Sequence, residues 1–263
     1  MIIAQVLLDG ASQYERKSQR LDQAALSIDH DVRVGDVRSA DLVHIYAPPD
    51  FEPSILRDLT VPWVSNARPR LRRFRRKVLP DRVLTPLNES PDAFIPEAVE
   101  DCYFAPATAG TRSGRAIIGS YARPSIQNVV ASTASRIQRT REDVDWLLFD
   151  GPPTPDDLRG VDVWVDPATT EDDFDGFVAE ALVSGAAVVA SRTLLNTQRL
   201  ERGRTGVLVP PRDANEWTHA ILALLFKHEL RQTKVSAARQ TASKFRSRQR
   251  SSALTRLYQS ILQ

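Results

Sequence analysis

The sequence has little cysteine and no long hydrophobic run, and each shortage excludes a class of protein. Its one cysteine, Cys102, cannot form an internal disulfide, which fits a reducing compartment. No apolar run approaches the roughly 20 residues that a helix needs to span a membrane. The start, Met1 to Leu8, lacks the basic residues and the length of a signal peptide. We therefore expect a cytoplasmic protein.

Net charge is also small, because 35 basic and 33 acidic residues leave only +2. The basic residues are 5 lysines and 30 arginines, a bias that points to a GC-rich bacterial genome. With 42% hydrophobic and 26% charged residues, the composition is that of an ordinary globular chain of one or two domains.

The four histidines show no metal-ligand spacing, and we expect His44, within an apolar run, to be structural.

The second half of the sequence alternates strand-like and helical segments. Short apolar runs typical of buried strands lie at 116–119, 146–149, 161–165, 187–190 and 206–209. Asp213 precedes a helical segment with Trp217, Ile221 and Leu224 on one apolar stripe. This alternation predicts a doubly wound parallel sheet.

The first half is patterned less clearly. Apolar runs suited to buried strands lie at 2–8, 42–46, 61–64 and 83–84. They predict a compact βα unit with about four strands. Residues 106–114 are small and polar and contain glycine, as expected of a linker. We therefore predict two α/β domains, a small one at 1–108 and a second at 109–263 that includes the C-terminal helices.

Residues 172–191 carry the main functional signal. Acidic residues and Gly176 precede a short segment with helical spacing, which leads into a β-branched strand. A helix with Gly176 in its first turn and Asp173 or Asp175 as its cap would offer free backbone amides to a phosphate. Glu180, one turn further on, can accept hydrogen bonds from vicinal hydroxyls. The alternative is an ordinary βα connection with acidic capping residues.

This stretch resembles the donor site of retaining glycosyltransferase family 4 (glycosyl transferases group 1), whose members have the GT-B fold. The family has two glutamates eight positions apart, then a small-residue helix and a Val-Val-Ala-Ser strand. Here Glu180 stands at the second glutamate and 188–191 at the strand, while Asp172, one methylene shorter, replaces the first glutamate. The segment 203–213 continues the resemblance, which covers residues 115–262.

The resemblance implies a GT-B protein with two Rossmann-like domains that transfers a hexose from a nucleotide sugar with retention. It implies no metal and no cofactor. Asp172 and Glu180 would orient the donor, and backbone amides would face its diphosphate. The donor-binding residues that it implies are Gly119, Ser120, Asp175, Gly176, Phe177 and Glu180.

Departures from the family pattern concern the charge of the leaving diphosphate. Without a metal, that charge is usually stabilised by arginine or lysine together with helix amides. The family supplies an arginine and then a lysine after the first strand of this domain, whereas here Ser120 stands at the arginine and no lysine follows. Arg123 is the candidate replacement, which completes the catalytic set of Asp172, Glu180 and Arg123. The alternative function is a GT-B-like binding or partner subunit that has lost turnover.

Residues 68–77 hold seven cations in ten positions, with Leu71, Phe74 and Val78 at helical spacing. Such a segment suits three roles: a solvated helix face over the core, contact with an anionic membrane, or, ranked third, contact with nucleic acid. By resemblance, membrane contact would bring a lipid-linked or polysaccharide acceptor to the enzyme at the inner face of a bacterial envelope. The cations concerned are Arg70, Arg72, Arg73, Arg75, Arg76 and Lys77.

Overall fold

The computed structural model describes residues 1–9, 11, 13–47, 61–65, 82–83, 95–104, 114–122, 127–168 and 176–263. They divide into two compact units. Unit 1 consists of Met1–Ala98 with Arg246–Gln263, and unit 2 of Val99–Phe245. The sequence predicts a division after residue 108 and counts the C-terminal helices in the second domain, while the GT-B resemblance implies that Leu257, Tyr258 and Ile261 of the last helix pack on the first. The last helix lies in unit 1. Residues 106–113 of the predicted linker lie outside the described ranges.

Unit 1 is built on a parallel five-stranded sheet in the order β2-β1-β3-β4-β5. Its elements are β1 (Ile2–Leu7), α1 (Gln13–Leu26), β2 (Asp31–Val34), β3 (Leu42–Tyr46), β4 (Trp63–Ser65), β5 (Arg82–Val83) and the C-terminal helix (Ser247–Leu262). The apolar run of β1 is central, since Ile3 pairs with both Val32 and Leu42. Strand β2 is additional to the predicted ones, because Asp-Val-Arg-Val offers only two apolar residues.

The C-terminal helix completes the core of unit 1. Its Leu254 and Tyr258 are fully buried against Ile3, Leu42 and Val64. Alternate residues of β1 and β3 face the other side of the sheet. There they form a second buried cluster that includes Ala4, Val43, Ile45 and Trp63. Burial on both faces explains why these strands are continuous apolar runs.

A buried polar network joins the C-terminal helix to the rest of unit 1. Arg250 donates from Nε and Nη2 to the two oxygens of Asp22, at 2.5 and 2.9 Å, and the Tyr46 hydroxyl also donates to Asp22, at 2.8 Å. His44 Nδ1 lies 2.7 Å from the hydroxyl of Tyr258. Burial, assisted by Arg250 and opposed by Asp22, lowers the pKa of His44 to about 3. His44 is therefore a neutral core residue, as expected from the sequence.

Unit 2 is built on a second parallel sheet, in the order β10-β9-β8-β6-β7, which confirms the predicted α/β class. Its elements are a 3₁₀ turn (Asp101–Phe104), β6 (Ala116–Tyr121), α2 (Gln127–Thr140), β7 (Val144–Phe149), α3 (Pro155–Gly160), β8 (Val163–Asp166), α4 (Val178–Ser184), β9 (Ala187–Ser191), α5 (Leu194–Arg199), a 3₁₀ turn (Glu201–Gly203), β10 (Val207–Val209), α6 (Ala214–Phe226), α7 (His228–Thr241) and a 3₁₀ turn (Ala242–Phe245). All five strands predicted for this half are present.

Both faces of the unit 2 sheet are covered. Along β8, Trp164 belongs to one buried cluster, whereas Val163 and Val165 belong to the other. The first cluster includes the whole apolar side of α4, and the second includes Trp217 and Ile221 of α6. As predicted, α6 begins after Asp213, whose carboxylate accepts hydrogen bonds from two backbone amides of the first turn. Across the described ranges, no helix is long and apolar enough to cross a membrane.

Candidate functional site

Strand β8 ends and helix α4 begins at the carboxyl edge of the unit 2 sheet, the edge at which open parallel sheets bind ligands. The prediction that Gly176 lies in the first turn of this helix, capped by Asp173 or Asp175, is wrong. Helix α4 begins at Val178, and its N-cap is Phe177. Phe177 has a left-handed backbone (φ 51°, ψ 28°), so the helix cannot extend further toward the amino terminus. The Phe177 side chain has no group that can accept an amide hydrogen bond.

Two residues of β8 hold Gly176 in place. The indole Nε1 of Trp164 donates a hydrogen bond to the carbonyl oxygen of Gly176 at 2.7 Å. The carboxylate of Asp166 lies so close that a β-carbon on Gly176 would be 2.4 Å from Oδ1. Only glycine permits this approach. Because residues two apart on a strand point to the same side, one face of β8 positions the start of α4.

Trp164 also packs against Gly119 of the neighbouring strand β6. A β-carbon on Gly119 would lie 2.9 Å from Cε3 of the indole ring and 2.8 Å from Cγ2 of Val161. The indole therefore fills the space above Gly119 and reaches Gly176 with its nitrogen. Gly119 is thus packed against Trp164, and its contact with a donor stays a prediction.

Asp166 is 1% exposed and lies among buried polar side chains. Its Oδ2 accepts a hydrogen bond from Nδ2 of Asn196 at 3.0 Å. Asn196 is itself 2% exposed. Its Oδ1 lies 3.5 Å from Nη1 of Arg199, a buried residue of the same helix, α5. The carboxylate thus links the loop before α4 to α5, the helix that follows β9.

Glu180 lies in the first turn of α4 and is only 5% exposed. Its charge acts on Tyr103, whose hydroxyl donates to the Pro153 carbonyl at 2.8 Å. Burial first, and then the negative charge of Glu180, raise the pKa of Tyr103 well above its usual range. Every residue of α4 is buried, so its backbone and the Glu180 side chain are held in a packed environment.

Ser120, at the position of the family's arginine, is fully buried next to Gly119 in β6. Its hydroxyl has no hydrogen-bond partner among the residues that the structure describes. Tyr121, the last residue of β6, contacts the ring of Phe177 edge to face, with ring centroids 5.1 Å apart. The end of β6 and the start of α4 are therefore neighbours.

Several predicted site residues lie outside the described ranges. Asp172, Asp175 and Arg123 are among them, as is the predicted cap Asp173. The same holds for the basic segment that includes Arg70, Arg72, Arg73, Arg75, Arg76 and Lys77. Within the described ranges, no three histidine, cysteine, aspartate or glutamate side chains are grouped to bind a metal ion.

Three residues of the site were not predicted from the sequence. Trp164, Asp166 and Asn196 are all buried around the loop before α4. A signal for Asp166 existed, because an aspartate that ends an apolar strand at the carboxyl edge of a parallel sheet is a candidate for a site. Asn196 offers no such signal, since its contact with Asp166 spans 30 residues of sequence.

Comparison with known proteins agrees with this architecture. Residues 115–227 match the family model described as glycosyl transferases group 1, while no curated protein sequence matches the chain. Anabaena HepE in complex with UDP-glucose is similar over 99% of this chain and 100% of that chain, with 13% identity and a TM-score of 0.70. A glycosyltransferase from Rickettsia africae is similar over 100% of this chain and 98% of that chain, with 13% identity and a TM-score of 0.65.

A third similar structure is sucrose-phosphate synthase from Thermosynechococcus elongatus, over 99% of each chain, with 14% identity and a TM-score of 0.61. The two parallel sheets and these similarities define a GT-B fold, which confirms the fold predicted from the sequence. Residues 115–227 cover all five strands of unit 2 and the candidate site.

Proposed function

We propose that the protein transfers a sugar from a nucleotide sugar to an acceptor and that unit 2 binds the donor. The observation that carries this proposal is the position of Glu180. Its carboxylate is buried in the first turn of a helix at the carboxyl edge of a parallel sheet. The same segment resembles the family's donor site and lies within the match to glycosyl transferases group 1.

Glu180 would hold the ribose of the nucleotide. A carboxylate accepts hydrogen bonds from two vicinal hydroxyls, and such bonds are strong because the acceptor is charged. Burial increases their strength, since water competes less for the carboxylate. The complex of HepE with UDP-glucose supports a nucleotide sugar as the donor class.

The diphosphate of the donor would lie against the amides at the start of α4. The negative charge of Asp166 beside Gly176 disfavours a phosphate at the Gly176 amide. We therefore favour the amides of Phe177 and the residues that follow it, with Arg123 as the proposed source of positive charge. Asp172 is the proposed contact to the donor sugar.

Finer features of the reaction follow from the same resemblance. We propose a hexose as the transferred group, retention of configuration at the anomeric carbon, and catalysis without metal or cofactor. The proposed acceptor is lipid-linked or a polysaccharide, met at the inner face of a bacterial envelope. Contact with that surface through the basic segment 68–77 is part of this proposal, and nucleic acid remains the lower-ranked alternative for the segment.

A partner subunit without turnover is the second candidate function. It is favoured by Ser120, a fully buried hydroxyl where the family has a cation that stabilises the leaving diphosphate. Replacing an arginine by serine removes both the charge and its planar pair of donors. Such a protein would bind the nucleotide and release no product.

Release of nucleoside diphosphate tests the proposal against this alternative. Purified protein would be incubated with UDP- and GDP-sugars and bacterial membrane extract, with and without EDTA, and free nucleoside diphosphate measured. The proposal predicts release with one donor, unaffected by EDTA and abolished in Glu180→Gln. Donor binding without release under any condition would favour the partner subunit. Absence of both binding and release would contradict both candidates.

A further inference from the structure

A cleft lined by cations runs beside β10, the edge strand of the unit 2 sheet. Its volume of about 500 Å³ is in the range of small-molecule sites. The charged residues that line it are Arg192, Arg202 and Lys234, and none of its described lining residues is acidic. The cleft shares no residue with the candidate donor site, so it requires a separate explanation.

The three cations are presented by different elements. Arg192 follows β9 and is exposed, and its Nη2 donates to the carbonyl oxygen of Leu208 at 3.4 Å. Lys234, on α7, is half-buried and donates to the carbonyl oxygen of Gly203 at 2.6 Å. Arg202 is exposed, and no hydrogen bond or ion pair joins it to another residue that the structure describes. Guanidinium and ammonium donors therefore remain for a ligand on all three side chains.

The acidic residue nearest in the chain does not offset this charge. Glu201 forms salt bridges with Lys244, at 2.7 Å, and with Arg204. Burial raises its pKa, but the hydrogen bonds from Lys244 and Arg204 prevail and lower the pKa of Glu201 below its ordinary value. Glu201 is thus already paired with two cations that do not line the cleft.

The backbone of the 3₁₀ turn is left-handed at three consecutive residues. The φ angles are 49° at Glu201, 56° at Arg202 and 92° at Gly203. Each non-glycine residue in this region costs roughly 1–3 kcal/mol, and such costs are concentrated at functional sites. Two lysine hydrogen bonds hold the turn: Lys234 donates to the Gly203 carbonyl, and Lys244 donates to the Arg199 carbonyl at 3.2 Å. It therefore presents Arg202 to the cleft from a fixed backbone.

We infer that this cleft binds the phosphate group of a phosphorylated ligand, as a second anion site of unit 2. Two guanidinium groups supply paired donors that match phosphate oxygens, and Lys234 supplies a compact charge from α7. The phosphate belongs either to a small soluble molecule or to a lipid headgroup. Because the cleft contains neither Glu180 nor Phe177, the inference does not depend on the proposed donor site.

Titration with pyrophosphate, followed by NMR of ¹⁵N-labelled protein, tests the inference residue by residue. The amide signals of Gly203 and Gly206 report on the cleft, and that of Gly176 reports on the donor site. Saturable shifts of Gly203 and Gly206 are expected. In Arg202→Gly, which keeps the left-handed backbone, the dissociation constant should rise on the order of tenfold, as expected when one charged hydrogen-bond donor is lost.

Arg212→Gly is the matched control, because Arg212 is also exposed and left-handed (φ 68°) but does not line the cleft. Its dissociation constant should equal that of the wild type. A parallel arm measures sedimentation with phosphatidylglycerol and phosphatidylcholine vesicles. Vesicle binding that Arg202→Gly weakens and Arg212→Gly does not would assign the phosphate to a lipid, whereas the same pattern with pyrophosphate would assign it to a soluble ligand.

Two results would overturn the inference. One is the absence of both pyrophosphate shifts at the cleft glycines and vesicle binding. The other is an equal loss in Arg202→Gly and Arg212→Gly, which would indicate unspecific charge attraction. Glu180→Gln separates this inference from the donor proposal, because it should weaken nucleotide binding and leave the Gly203 and Gly206 titration unchanged.

Discussion

The indole nitrogen of Trp164 donates a hydrogen bond to the carbonyl oxygen of Gly176 at 2.7 Å. Through this bond, a strand residue fixes Gly176, two residues before α4 and its buried Glu180. A fully buried carbonyl that loses its donor remains unsatisfied, which costs about 1–3 kcal/mol. The Trp164 ring also contacts Gly119, so one side chain connects β6, β8 and the start of α4.

Trp164→Phe should therefore destabilise the protein more than the same change at a second buried tryptophan. Trp217 is 1% exposed, and its Nε1 has no partner among the described residues, so Trp217→Phe removes no hydrogen bond. We expect the loss in free energy of unfolding to be about 1–2 kcal/mol greater for Trp164→Phe. Urea unfolding of the two variants measures the difference, and equal losses would show that the Gly176 bond contributes nothing.

Gly176→Ala is expected to destabilise the protein by about 1–3 kcal/mol, because the new methyl group would overlap the buried carboxylate of Asp166. It should also weaken nucleotide binding, since the loop before α4 must move. Gly160→Ala is the control, as a β-carbon there meets no atom within 4 Å. Thermal unfolding and nucleotide titration of both variants measure the effect. If Gly176→Ala behaved like Gly160→Ala, the close approach of Asp166 would be of no consequence.

Arg250→Met is expected to destabilise the protein by about 3–5 kcal/mol, because Asp22, which is 1% exposed, would be left as an uncompensated buried charge. The comparison is Arg115→Met, which breaks a pair with Asp145 whose side chains are 48% and 45% exposed. Exposed pairs contribute about 0–1 kcal/mol. Urea unfolding that gave similar losses for both variants would contradict the buried network as the anchor of the C-terminal helix.

The pKa of His44, lowered to about 3, predicts a specific dependence of stability on pH. Between pH 6.5 and about 3 the unfolded state binds a proton at His44 that the folded state does not, so stability falls as the pH falls. The slope from this one group is about 1.4 kcal/mol per pH unit well below pH 6.5. His44→Asn lacks the group, so the difference in unfolding free energy between wild type and variant should shrink from pH 7 to pH 4.5. A difference that stays constant over that interval would contradict the lowered pKa of His44.

Much of the fold was predictable because it depends on local sequence patterns. The apolar runs of β6 to β10 are surrounded by turn and helix signals, and Asp213 marks the start of α6 through a cap that acts within three residues. Strand β2 was missed because its edge position leaves it little apolar sequence. The packing of the C-terminal helix in unit 1 was expected only from the GT-B resemblance, because its contact between Arg250 and Asp22 joins residues that are 228 positions apart.

The geometry around the candidate site could not be predicted from the sequence. Glu180 was proposed from spacing and resemblance, but the start of α4 was placed too early, because nothing in the sequence shows that Phe177 adopts a left-handed conformation. The contacts of Gly176 with Trp164 and Asp166 are set by packing across the β8 face. A short-range pattern contains no information about such contacts.

Calorimetric titration of nucleotides tests the role of Glu180 most directly. The wild type, Glu180→Gln and Glu229→Gln would each be titrated with UDP, GDP and UDP-glucose. Glu229 is the matched control, since it also lies in the first turn of a unit 2 helix but is exposed. We predict that one nucleotide binds the wild type and Glu229→Gln equally, and binds Glu180→Gln at least tenfold more weakly, a difference of about 1.4 kcal/mol. Equal affinity in all three proteins, or no binding to the wild type, would contradict a donor site at Glu180.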